Sequence, residues 1–158
     1  MAGRPFHILC IGRLKQSFIQ EGCQEYLKRL KKWRSITYPL LKEGDAQASI
    51  AQRKKQVGMR IEEALPKDAI PILLDERGQE YTTTAFANLL ARFDANGVGS
   101  PSFIVGGAFG VSEDIAAKAK YTLALSQMTL PHELARLVLF EQLYRAETIL
   151  HKTPYHHS

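Results

Sequence analysis

The groups best suited to chemistry crowd into the last quarter of the chain, from Leu125 to Ser158, LSQMTLPHELARLVLFEQLYRAETILHKTPYHHS. A loop-like segment, Ser126-Gln127-Met128-Thr129, leads to Pro131. Proline suits a first helical turn because it has no N–H to leave unpaired. Nothing breaks a helix from there to Leu150. Leu134, Leu137, Val138, Leu139, Phe140, Leu143, Tyr144, Ala146, Ile149 and Leu150 cover far more than one stripe of it. Such a helix is expected to be buried on several sides, against its own domain and a second subunit. His132, Arg136, Glu141, Gln142 and Arg145 interrupt the apolar surface, and the helix empties into Pro154-Tyr155-His156-His157. A buried helix that leads to a polar, aromatic tail can hold reactive groups on a rigid support.

A second candidate is Gly106-Gly107-Ala108-Phe109-Gly110, directly after a strand. It is not the G-x-G-x-x-G dinucleotide signature, and no G-K-[ST] follows to make a P-loop. Glycines there let backbone N–H groups approach a ligand closely, or they serve only a tight turn. Ser112 caps the next helix with Glu113 and Asp114 in its first turn, which would repel a phosphate. A ligand without phosphates at this loop is the expectation.

These groups need a frame. Phe6–Ile11 reads as a first strand ending at Gly12. A helix capped by Ser17 runs to about Trp33, and a second strand covers Ile36 to Leu41. A second helix spans Ser49 to Leu65, a buried third strand Ala69 to Leu74, and Asp75-Glu76-Arg77-Gly78 is expected to turn the chain. Thr84 to Asn96, capped by Thr83 or Thr84, is the third helix. Strands Ser102–Val105 and Tyr121–Leu125 flank the short helix after Ser112. This alternation predicts an α/β fold, a mostly parallel sheet with helices on both faces. Ligands bind such sheets beyond the carboxyl ends of the strands. Three strand ends look adapted for that: Leu74, Gly106-Gly107, and Leu125 with the segment after it.

With 158 residues, 45% hydrophobic and 23% charged, the chain is expected to form one domain over residues 1–158. No apolar run approaches the ~20 residues that span a membrane. The apolar run Phe6–Ile11 behind Arg4 is too short for a secretory signal, so a cytoplasmic protein is expected. Cys10 and Cys23 make no disulfide framework, and the lack of CxxC or HExxH argues against a metal. Residues 1–60 carry 13 Lys/Arg against 4 Asp/Glu, whereas residues 61–158 carry 8 against 12. A basic half points to a polyanion, RNA first, or to solvated lysines. Lys28-Arg29-Leu30-Lys31-Lys32-Trp33-Arg34 gathers five cations around one indole. That mix suits a phosphate backbone with a stacked base, or simply a helix C-terminus.

The succession Gly106-Gly107-Ala108-Phe109-Gly110, Leu125 through His132, Arg136, Glu141-Gln142-Leu143-Tyr144-Arg145-Ala146 and Pro154-Tyr155-His156 resembles the RlmH family of SPOUT methyltransferases. The resemblance covers the whole chain and is most specific over the last 55 or so residues. It implies a C-terminal trefoil knot, a homodimer, and S-adenosylmethionine as methyl donor. The implied reaction is methylation at N3 of a pseudouridine in large-subunit (23S) rRNA of assembled ribosomes. By the same resemblance, cofactor contacts fall at Leu74, Gly106, Leu125, Ser126, Gln127, Met128, Thr129 and Leu130. Ala108-Phe109 departs from the family pattern, and His151-Lys152-Thr153 is assigned nothing.

On that resemblance the catalytic candidates are Tyr155, His156 and Arg145. Tyr155 would stack on the target base and His156 accept or relay its proton, beside the cofactor or across the dimer. Arg145 would meet the ring anion or a phosphate. The plainer alternatives are a tail that only packs, an Arg145–Glu141 pair within the helix, and a His132 that merely holds the loop before it. Another RNA such as tRNA, or a non-catalytic ribosome-binding role, are the competing functions.

Overall fold

The computed structural model describes residues 3–157. In chain order its elements are β1 (Phe6–Ile11), α1 (Ser17–Leu30), β2 (Ile36–Thr37), β3 (Leu40–Leu41), α2 (Ile50–Ala64), β4 (Ala69–Glu80), α3 (Thr83–Asn96), β5 (Ser100–Val105), α4 (Glu113–Lys118), β6 (Tyr121–Ala124) and α5 (His132–Leu150). The strands form one sheet in the order β2-β1-β5-β4-β6, with β3 also on β1, and every pairing is parallel.

Strand periodicity sorts the side chains into two cores. Phe6, Ile8, Cys10, Ile72, Phe103 and Val105 pack under α1, α3 and α5. Leu9, Ile11, Leu73 and Ile104 point the other way, against Val57, Ile61 and Ile115 of α2 and α4. Helices thus cover both faces, which explains why these strands are apolar throughout. No helix among the described residues is long and apolar enough to cross a membrane.

Several local expectations need correction. The second strand is two short pieces, because Tyr38-Pro39 interrupts it and proline cannot donate to a ladder. The first helix stops at Leu30 and leaves Trp33 in a turn. Its N-cap is Gln16, without a side-chain cap of its own. Instead the Glu133 carboxylate of α5 accepts from the backbone N–H groups of Lys15 (2.6 Å) and Gln16 (3.1 Å). Thr82, not Thr83 or Thr84, caps α3. The largest difference concerns Asp75-Glu76-Arg77-Gly78. They do not end the strand; they make an excursion inside it, so that both Leu74 and Gln79 align with Leu123 of β6. Gly78 permits the return, since a Cβ there would fall 2.5 Å from the Thr122 carbonyl oxygen.

The close approach of α1 to α5 has a similar cause. A Cβ on Gly22 would come within 2.8 Å of Leu137. Arg136 of α5, fully buried, donates to the carbonyls of Ile11 and Gly12 and to the Tyr38 hydroxyl. It ties the carboxyl end of β1 to the first turns of α5.

Candidate active site

At the carboxyl edge of the sheet the three strand ends open into one cavity of about 350 Å³, a volume suited to a small organic ligand. Leu74 and the excursion residues Asp75, Glu76 and Arg77 form one wall. Val105 and the glycine loop form a second. Leu125, Ser126, Met128, Thr129 and Leu130 form the third, with His132 and Ala135 of α5 beneath. Leu74, Gly106, Leu125, Ser126, Met128, Thr129 and Leu130 are therefore brought together; Gln127 is not on the wall.

Local chemistry explains the shape. The glycine loop closes on itself, with the Gly110 N–H donating to the Gly107 carbonyl at 3.0 Å. Gly110 has φ +73°, a left-handed conformation that disfavours a side chain. A Cβ on Gly106 would stand 3.2 Å from the Gly110 backbone. The loop is thus both a tight turn and a close backbone wall. In the facing segment, Ser126 Oγ accepts from the Met128 N–H at 3.0 Å, and the Thr129 hydroxyl donates to the Glu76 carboxylate across the cavity. Asp75 holds Arg77 through two guanidinium bonds and the Arg77 backbone N–H, and this pairing pulls the Asp75 carboxyl below its ordinary range. Arg77 itself is 85% exposed at the rim.

Tyr155, His156 and Arg145 also come together, but elsewhere. Arg145 pairs with Glu141 at 2.7 Å, its guanidinium lies 4.6 Å from the Tyr155 ring centroid, and its Nη1 is 3.5 Å from His156 Nδ1. The Tyr155 hydroxyl donates to Glu141 at 3.2 Å and its ring packs edge-on to Tyr144. Burial first, then the hydrogen bond with Tyr26, pushes the Tyr155 phenol well above its ordinary value, so it stays protonated. The helical pair with Glu141 and the contacts to the tail therefore coexist on one arginine. α5 has 19 residues, about 28 Å at 1.5 Å per residue. Its first turn borders the cavity and its last turn carries the tail. Within one chain the tail is not beside the cavity.

The sequence pattern gave Asp75, Glu76 and Arg77 no role beyond a turn. Their only signal was three charged residues directly after a buried strand end. Glu141 stood out only as a helical partner of Arg145, whereas it also orients Tyr155. Among the described residues no group of three or more His, Cys, Asp or Glu side chains could hold a metal ion.

A parallel α/β sheet that gathers three strand ends around a nucleoside-sized cavity fits a class of methyltransferases. The family model described as predicted SPOUT methyltransferase matches residues 5–156, and the chain belongs to that family. Its curated relatives carry a narrower name. The chain is 45% identical over 157 residues to "Ribosomal RNA large subunit methyltransferase H" of Desulfovibrio desulfuricans, covering 99% of this chain and 100% of that one. It is 40% identical over 157 residues to the protein of the same name from Lawsonia intracellularis, with the same coverage. Among solved structures it is similar to a probable methylase family protein from Haemophilus influenzae. That match has a TM-score of 0.56 at 13% identity, over 93% of this chain and 66% of that one. A putative methylase family protein from Neisseria gonorrhoeae gives 0.56 at 13%, over 99% and 86%. At that identity the likeness speaks for the fold alone.

Proposed function

We propose that this protein is an S-adenosylmethionine-dependent methyltransferase that modifies N3 of a pseudouridine in large-subunit rRNA of assembled ribosomes. It works as a knotted homodimer in the cytoplasm. The observation that carries the reading is the cavity at the three strand ends, in a chain that matches relatives named for large-subunit rRNA along its full length.

The cavity suits the donor. Leu74, Leu125 and Leu130 offer apolar surface, Ser126, Thr129 and Glu76 offer polar groups, and the glycine loop offers backbone at close approach. Gln127 would contribute from the same segment. When bound, S-adenosylmethionine supplies an electrophilic methyl group. The chain must then orient the target ring and favour loss of its imide proton. His156 takes that proton, Arg145 faces the resulting ring anion, and the protonated Tyr155 packs against the base. Because these groups stand at the far end of α5, they meet a cavity only in a second copy. The half-buried apolar residues Leu134, Val138 and Ile149 of α5 supply a surface for that copy.

The test is transfer of label from S-adenosylmethionine to ribosomes from cells lacking this protein, with free rRNA and bulk tRNA alongside. Label in large-subunit rRNA of assembled ribosomes supports the reading. Label in tRNA moves the substrate. No label despite cofactor binding leaves either another substrate or a ribosome-binding factor.

A further inference from the structure

A second, smaller cavity of about 80 Å³ lies behind the glycine loop. Gly107, Ala108 and Gly110 line both cavities, so the two stand back to back with one loop between them. Arg53, Lys54, Glu43 and Phe109 also line the small cavity, beside the apolar Ile11 and Val57. Phe109 belongs to this cavity and not to the larger one. It is 49% exposed, unusual for a phenylalanine at the mouth of a site.

Arg53 is fixed in place. Its Nε donates to the Ala48 carbonyl at 3.1 Å and its Nη2 to the Ala46 carbonyl. Its guanidinium lies 5.5 Å from the Phe109 ring centroid, and Nη1 makes no hydrogen bond among the described residues. The result is a cation and an aromatic face held together, with donor capacity left over. Lys54 adds a second cation, and the Glu43 carboxylate lines the same cavity close to Gly12 and Gly107.

Helix polarity makes this end of α2 special. In a parallel sheet each helix starts at the carboxyl edge of the strands and ends at the opposite pole. Arg53, Lys54 and Lys55 lie in the first turns of α2, beside the cavities. Lys28 and Arg29 lie in the last turn of α1, away from the cavity of their own chain.

We propose that Phe109, Arg53 and Lys54 form a subsite for the nucleotide that flanks the methylated one. The flanking base stacks on the open face of Phe109, and its phosphate meets Arg53 Nη1 and Lys54. The inference rests on the reading of the chain as an RNA methyltransferase. It adds the path of the RNA, from the mouth of the large cavity over the glycine loop toward α2. The cavity accommodates a phosphate but not a whole nucleotide, which is why the base is placed on the exposed ring. Stacking of this kind is sequence-tolerant and adds about 1–3 kcal/mol per base, or about 5- to 150-fold in affinity.

The experiment is steady-state methyl transfer to ribosomes from cells lacking the protein, with S-adenosylmethionine affinity measured separately by titration. Phe109→Ala and Phe109→Leu are expected to raise KM for ribosomes by about 5-fold or more with kcat little changed. Phe109→Tyr is expected to behave as the unaltered protein. Cofactor affinity and Tm stay the same in all three. Arg53→Gln raises KM and flattens its salt dependence. An unchanged KM in Phe109→Ala overturns the subsite. So does a Phe109→Leu protein equal to wild type, which would make the ring a mere filler. A parallel loss of cofactor affinity also overturns it, because the ring would then act on the large cavity. If the unaltered protein labels no ribosomal RNA, the underlying reading fails and the subsite with it.

Discussion

At its first turn α5 borders a cavity whose rim carries the exposed Glu76 and Arg77; at its last turn the same helix is locked into saturated contacts. Arg34, nearly inaccessible, shows the second style. It donates to Glu147 (2.6 Å), to both carboxylate oxygens of Asp94 (3.0 and 2.9 Å) and to the Arg4 carbonyl (2.7 Å), and its guanidinium sits 4.0 Å from the Phe6 ring centroid. Glu147 also reaches His151, which stacks on Trp33 at 4.9 Å. At the cavity end Arg77 pairs with Asp75 alone among the described residues, and Met128 is 78% exposed. On the function proposed above, a site that admits a cofactor and an RNA keeps its groups available. On the same proposal, a tail that presents Tyr155 and His156 to a second copy needs a rigid mount.

Substitutions can test that contrast, and the largest stability effect belongs at the tail end. Glu147→Ala leaves Arg34 buried with one carboxylate fewer. A loss of about 3 kcal/mol is expected, a Tm lower by roughly 6–12 °C. Arg77→Ala, at the open end, should move Tm by no more than about 2 °C. Equal shifts in thermal unfolding would erase the contrast.

Removing residues 154–158 is expected to leave cofactor binding intact and to lower methyl transfer at least about 100-fold. Isothermal titration and a labelled-methyl assay on the same preparation read the two. Turnover that survives would make the tail a packing element. In the same assay, mixing this truncation with a Gly106→Val protein should restore activity. About a quarter of the wild-type rate is expected if copies pair at random.

Gly110→Ala tests the loop without a steric clash, since nothing lies within 4 Å of the added Cβ. Its positive φ alone should cost about 1–2 kcal/mol, visible in urea unfolding, and cofactor affinity should fall with it.

A further small effect concerns pH. The Gln16 backbone N–H first, then that of Lys15, holds the Glu133 carboxyl below its ordinary range. A depressed carboxyl stabilises the fold above its unfolded value and loses that contribution as pH falls through the folded one. Glu133→Ala should therefore lower Tm by about 1–3 °C at neutral pH. The two proteins should converge as acid protonates Glu133. A difference constant down to pH 3 would contradict this origin.

Much of the frame was legible from local pattern. The alternation of apolar runs with helical spacing marked all the helices and most of the strands, and Ser112 caps its helix as its position foretells. The carboxyl-edge rule singled out Leu74, Gly106-Gly107 and Leu125, the strand ends that meet at the cavity. The Asp75–Gly78 excursion was not legible. Its residues are turn formers by type, and only the resumed pairing with β6 shows that the strand continues.

The sequence by itself determined what depends on near neighbours: which residues alternate, which face of each element is apolar, and that a polar, aromatic tail follows α5. Tertiary structure alone decided what depends on distant partners. Glu133 caps a helix 117 and 118 residues away in the chain, and Arg34 meets Glu147 across 113. It also decided that the cavity and the tail stand a whole helix apart. Periodicity specifies which side of an element faces the core, but not which other element arrives there, because that choice is made by packing.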